Sequence, residues 1–234
     1  MTERRATERE LLRWAETLAA TAQTGLGFTD NLYERERFEE VLAVAADIRA
    51  HVQGGVDPEE QVQEWLDRVG SGVAGYVTPK ITVGAVVGND EGELLLIQRS
   101  DSGIWLYPTG WADVGYSPSE VVVKEVREET GIECEVVRPI AILDGQRLGF
   151  TRIPLVSLVF HGVQSGGAVR PHPLECIDAG FYGRDALPEP LANADLWVDQ
   201  AFRAIEGEPL DVQFDPPRNP VWRGDPHDTA AEPD

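Results

Sequence analysis

The chain predicts an α+β fold with a mixed sheet, preceded by a small helical domain, on three observations. Residues 4–69 carry apolar side chains at helical spacing. From Ile81 the pattern turns to short apolar runs parted by turn residues, as strands require. Two further helical stretches, the first strongly capped and acidic, interrupt and close the strand region. The expected domains are therefore residues 1–75, helical, and 76–206, mixed. Residues 207–234, acidic and proline-rich, form a tail expected to be poorly ordered. At 234 residues the chain suits about two compact units.

The first helix presents Leu11, Leu12, Trp14, Ala15, Leu18, Ala19 and Ala22 as one apolar face. Gly25-Leu-Gly27 is expected to interrupt it. Asp30 or Asn31 then caps a second helix carrying Leu32, Phe38, Val41, Leu42, Ala45, Ile48 and Val52, which Gly54-Gly55 ends. Asp57-Pro58-Glu59-Glu60 opens a third, shorter helix with Val62 and Leu66 inward. Three helices of this size bury little core. The unit is expected to pack on the next domain or on a second subunit.

Ile81–Val87 and Glu93–Arg99 read as strands around the turn Asn89-Asp-Glu-Gly92. Pro108–Gly115 reads as a loop whose glycines bring backbone close to a ligand. Ser117, Pro118 and Glu120 then make an N-cap, a first-turn proline and a capping box, and Gly131 ends that helix. Val122, Val123 and Val126 are expected to face a core. Apolar runs follow at Cys134–Val137, Ile140–Leu143, Ile153–Val163 and Ile177–Tyr182. A helix from Asp195 to Ile205, with Leu196, Ala201, Phe202 and Ile205 inward, closes the domain.

The capped helix carries Glu125, Glu128 and Glu129, which fall within about 100° of arc on one face. Three adjacent carboxylates repel one another and favour a cation. Hard oxygen ligands at this density suit Mg²⁺ or Mn²⁺, shared with the phosphate oxygens of a substrate. Alone, such a triplet is an ordinary solvated face. Between a glycine-containing loop and a terminal glycine it specifies a diphosphate–metal site.

Residues 110–132 resemble the Nudix box: Gly, five residues, Glu, seven residues, then Arg-Glu-apolar-x-Glu-Glu-x-Gly-apolar. Gly110, Glu125, Val126, Glu128, Glu129, Gly131 and Ile132 match at the right spacing, whereas Tyr116 replaces the first Glu and Lys124 the Arg. The resemblance implies an α/β/α sandwich and a hydrolase in which Glu125, Glu128 and Glu129 hold metal and one of them helps activate water. Lys124 keeps the positive charge without the planar fork and would orient a neighbouring Glu. Tyr116 cannot supply a carboxylate at neutral pH. The segments Leu11–Phe28 and Tyr33–Phe38, with the junction Tyr76–Lys80, resemble the helical domain of bacterial Nudix proteins described as ADP-ribose or CDP-choline pyrophosphatases.

Outside the box, Arg99 ends a strand where it can meet a substrate phosphate in bidentate fashion or, equally, form a surface ion pair. Glu175 precedes a strand, where related enzymes often carry a metal ligand or base. Trp105, Trp111 and Phe150 are candidate platforms for a nucleobase. Trp105-Leu-Tyr-Pro-Thr-Gly110 stands where relatives usually read Trp-x-Leu-Pro-Gly-Gly, so Tyr107 and Thr109 point to a rebuilt pocket.

Twenty basic residues against 41 acidic ones give a formal charge of −21, which opposes nucleic-acid or anionic-membrane partners. Cys134 and Cys176 read as buried thiols, the four histidines show no ligand spacing, and no run is apolar enough to span a membrane. A cytoplasmic location follows. The expected activity is Mg²⁺- or Mn²⁺-dependent cleavage of a diphosphate bond in ADP-ribose, CDP-choline or a similar small nucleotide, by a homodimer. Alternatives are a sensor that binds such a nucleotide without turnover, or a hydrolase of damaged nucleoside triphosphates.

Overall fold

A computed structural model describes residues 6–70, 77–113 and 115–217. The junction at Tyr76, the expected boundary at residues 75/76, His227 and Trp222 lie outside these. Helix α1 (Glu8–Phe28) starts at a Thr7–Glu10 capping box, α2 (Leu32–Gln53) starts at Asn31, and α3 (Pro58–Leu66) starts at Asp57. Leu26, Leu42, Ala45, Ala46 and Trp65 form the centre of this unit. The buried Gln23 amide donates to the Trp65 carbonyl at 2.7 Å and ties α1 to α3.

Three details differ from the sequence reading. Gly25 does not break α1: a Cβ there would overlap the Phe38 ring, so this glycine lets α2 press against α1. Trp14 and Leu32 are 42% and 82% exposed, so neither joins the core. Trp65, in place of a purely aliphatic contact, fills the space beneath α3.

The second unit is built on strands β1 (Lys80–Gly88), β2 (Leu94–Arg99), β3 (Trp105–Leu106) and β4 (Thr109–Trp111). Helix α4 (Pro118–Thr130), β5 (Ile132–Asp144), the short α5 (Gly145–Leu148), β6 (Leu155–Gly167) and β7 (Cys176–Tyr182) follow. Helix α6 (Ala194–Ile205) and β8 (Gln213–Phe214) end it. The sheet order is β3-β2-β1-β6-β5-β8, with β4 on β1 and β7 on β2. The β1–β6 and β5–β8 pairs are parallel and the other strand pairs described are antiparallel, so the sheet is mixed.

Both faces of the sheet are covered. Val83, Ala85, Val87 and Leu95 pack against Val121, Val122 and Val126 of α4. Val86, Leu94 and Leu96 face the other way, against Trp197, Ala201 and Phe202 of α6. This alternation places α4 and α6 on opposite sides and explains why β1 and β2 read as nearly continuous apolar runs. Val121 takes the inward position expected of Val123, which is 39% exposed. No helix among the described residues is long and apolar enough to cross a membrane.

The runs Cys134–Val137 and Ile140–Leu143 are one strand. Register shifts at Val136/Arg138 and Pro139/Ala141 absorb the proline that separates them in sequence. Residues 207–217 depart from the expected poorly ordered tail. Phe214 pairs with Ile142, the Asp144 N–H donates to the Asp215 carboxylate at 2.6 Å, and Arg147 donates to the Pro216 carbonyl at 2.6 Å.

Candidate active site

The acidic face of α4 meets β4, and the close approach depends on Gly110. A Cβ at that position would stand 2.5 Å from both carboxylate oxygens of Glu125. The capping box at Ser117–Glu120 and the left-handed Gly131, at φ 73°, fix the length of α4, so its three glutamates emerge at set heights along β4. They open into a cleft of about 740 Å³.

Each carboxylate has its own surroundings. Glu129 is buried and accepts a hydrogen bond from the Thr109 N–H at 2.9 Å. Burial, with smaller contributions from Glu125 and Glu175, pushes its carboxyl up to about 8, although the Thr109 N–H and Arg99 oppose the shift. Burial also raises Glu125, against the opposing pull of Lys124. Thr109, a departure from the family phrase, is used twice: its hydroxyl donates to the Val83 carbonyl at 2.7 Å and fastens β4 to β1. Glu128 is the exposed member, at the rim.

Lys124 places its ammonium among three acids, 3.1 Å from Glu128, 3.2 Å from Asp113 and 3.5 Å from Glu125. Hydrogen bonds to Glu128 and Asp113 hold its pKa above the usual lysine value. The Asp113 contact was not legible in the sequence, because it joins a loop residue to a helix residue eleven positions later.

The remaining expected site residues line the same cleft. Arg99 does so while held by Asp101, with Nε and a terminal nitrogen 2.9 and 2.5 Å from its two oxygens. Glu175 stands beside Leu174 on the rim, and its backbone carbonyl accepts the Ser100 N–H at 2.8 Å. Trp111 is half exposed with the Lys80 ammonium 5.4 Å from its ring centre. Of the other aromatics, Phe150 lines the cleft. Trp105 does not: it is buried, with its ring edge-on to Tyr182 at 5.3 Å. Tyr116 is exposed and outside the cleft lining.

Away from the acids the wall becomes apolar. Tyr107, Phe150, Ile153, Leu155 and Trp197 line this arm. Tyr107 occupies the room left by Gly84, where a Cβ would overlap its ring, and packs edge-on to Trp197 at 4.9 Å. Burial pushes its phenol up to about 12, with Ser157 opposing the shift. These pairings cross distant parts of the chain, and no local spacing announces them.

The acidic end suits a hard divalent ion in its donor chemistry, since Glu125, Glu128 and Glu129 offer oxygen atoms only. The lysine ammonium already held between Glu125 and Glu128 shows that a cation is accepted there. Among the described residues, however, no three His, Cys, Asp or Glu side chains converge as a ready ligand set. Lys124 is what engages the outer carboxylates in this arrangement.

A family model for the NUDIX domain matches residues 78–202, and one for a UDP-X-like, N-terminal oligomerisation domain matches residues 9–66. The putative ADP-ribose pyrophosphatase YjhB of Bacillus subtilis is 36% identical over 87% of this chain and 96% of its own length. The crystal structure of an ADP-ribose pyrophosphatase from Streptococcus suis covers 59% of this chain and all of its own, with 34% identity and a TM-score of 0.51. That of a UDP-X diphosphatase covers 90% of this chain and all of its own, with 25% identity and a TM-score of 0.53. A mixed sheet between helices, a cleft at the acidic face of α4 and these likenesses identify the chain as a member of the Nudix family, a pyrophosphohydrolase with an N-terminal helical domain.

Proposed function

We propose that the protein is a Mg²⁺- or Mn²⁺-dependent hydrolase that cleaves the diphosphate bond of a nucleoside diphosphate linked to another moiety, with ADP-ribose the leading substrate. One observation carries this reading: a single cleft joins oxygen-donor acids and Arg99 at one end to an aromatic arm at the other. Its volume of about 740 Å³ falls within the range of small-molecule sites. Nudix hydrolases generally depend on a divalent metal, and likeness to the Bacillus subtilis protein described as a putative ADP-ribose pyrophosphatase extends over 87% of the chain.

Glu125, Glu128 and Glu129 would hold the metal. That ion would supply positive charge to offset the diphosphate and would make water more acidic. Arg99 exchanges Asp101 for a phosphate oxygen, keeping a bidentate partner throughout. Glu175 accepts a proton from the attacking water, and Lys124 orients the outer carboxylates. Trp111 and Phe150 flank the nucleoside. Attack at phosphorus breaks one P–O bond of the diphosphate and leaves two monophosphate esters.

The likeness to a UDP-X diphosphatase across both domains favours a UDP-linked compound as a second substrate reading. Product analysis with ADP-ribose, UDP-sugars, CDP-choline and an oxidised nucleoside triphosphate, each with Mg²⁺ or Mn²⁺, separates these readings. Metal-dependent cleavage of ADP-ribose, reduced at least a hundredfold in Glu128→Gln, is expected. Metal-dependent binding without cleavage of any member would defeat the hydrolase proposal. The helical domain is proposed to join two copies into a homodimer.

A further inference from the structure

We infer that Asp113 is a positioning residue for the metal site: it retains the Lys124 ammonium at the rim so that a divalent ion can take Glu125 and Glu128. The inference rests on the metal-dependent reading above. Its starting point is competition for one cation. Lys124 reaches Glu128 at 3.1 Å and Glu125 at 3.5 Å, two of the carboxylates that a metal needs. A lysine there shields their mutual repulsion when no metal is bound, and it opposes metal binding for the same reason.

The third partner lies elsewhere. Asp113 is on the loop after β4, not on α4, and is 3.2 Å from the same nitrogen. A divalent ion carries twice the charge of the ammonium and displaces it from Glu125 and Glu128. The displaced ammonium then needs an acceptor within reach, and Asp113 already stands in contact with it. A flexible lysine stem with three donors can swing between such partners, whereas a planar guanidinium would not exchange them singly.

Surface exposure sets the size of the effect. Lys124, Asp113 and Glu128 are each a third or more exposed, so solvent screens the pair. Removing Asp113 is therefore expected to weaken metal binding only about two- to fivefold. The Tyr116 ring is exposed outside the cleft lining, while its backbone N–H donates to the Asp113 carbonyl at 3.4 Å.

The test is a double-mutant cycle read by Mn²⁺ binding, using titration calorimetry on the full chain with no nucleotide present. Asp113→Asn should raise the Mn²⁺ dissociation constant about two- to fivefold. Lys124→Gln, which removes the competitor, should bind Mn²⁺ at least as tightly as the unaltered protein. In the Lys124→Gln background, Asp113→Asn should then have little further effect. If Asp113→Asn costs the same in both backgrounds, Asp113 acts only as a distant negative charge and the inference falls. An unchanged constant in Asp113→Asn alone also overturns it. Absence of Mn²⁺ binding by the unaltered protein, both without nucleotide and with ADP-ribose present, would overturn the metal-dependent reading itself, which separates the two failures.

Discussion

At the scale of single residues, Glu129 holds a buried carboxyl beside two other acids, Glu125 and Glu175. Its carboxyl is pushed up to about 8 by burial, against an ordinary value of 4.5. The folded state therefore keeps a proton that the unfolded state releases, and the stability so contributed is present below pH 4.5 and lost as pH rises through about 8. Thermal unfolding in chelator should thus show a melting temperature that falls between pH 5 and pH 8.5. Glu129→Gln keeps an acceptor for the Thr109 N–H and should flatten that fall, making the variant the more stable form at pH 8.5. A parallel fall in both proteins would place the conflict elsewhere. The three glutamates were legible in the sequence because their spacing lies within one helix. Asp113 beside Lys124, and Tyr107 over Gly84, were not, because each pairing depends on how β4 and its flanking residues lie against other elements.

Among the elements, α1 and α2 show how a single glycine can be misread. Gly25 carries the local signature of a helix end, yet α1 runs on to Phe28 because the space of the missing Cβ is filled by the Phe38 ring. Two effects oppose each other in Gly25→Ala. Helix propensity favours alanine by about 1 kcal/mol. Overpacking costs about 1–3 kcal/mol, and here an added Cβ would overlap three carbons of the partly buried Phe38 ring. The second effect should win, so Gly25→Ala is expected to lower stability, measured by urea unfolding. Adding Phe38→Leu should return most of the loss, and a stabilised single variant would show that α2 can simply move aside. The same limit of local pattern hid the continuity of β5, since Pro139 ends a strand by rule but is carried by register shifts here. It also hid β8, where two residues are too few to show any period. The capped helix α4 was read to within its bounds, because capping box, first-turn proline and terminal glycine are all local.

For the whole molecule, the question is what the helical unit does for the cleft. Among the described residues it meets the second unit where α1 packs on α5, with Arg9 against Gly149, and where the Val77 N–H reaches the Thr24 hydroxyl at 3.4 Å. None of its described residues lines the cleft. Meanwhile Trp14, Leu32, Tyr33 and Val44 remain between 42% and 82% exposed, a large apolar surface for so small a unit. The family model matched here is that of an oligomerisation domain, and exposed apolar side chains on a three-helix unit are what such a role would use. The protein is therefore expected to sediment as a dimer, at twice the 25.7 kDa chain mass. Charged replacements on α2, Leu32→Glu with Val44→Glu, should convert it to a monomer, since each carboxylate would lose its water on burial at the interface. If the unaltered protein sediments as a monomer at micromolar concentration, the exposed face serves another purpose. If the double variant is monomeric yet hydrolyses substrate at the original rate, each cleft is complete within one chain. Loss of activity on dissociation, with the fold intact, would instead mean that the partner copy shapes the cleft, and the helical domain would then belong to the active site as well as to the assembly.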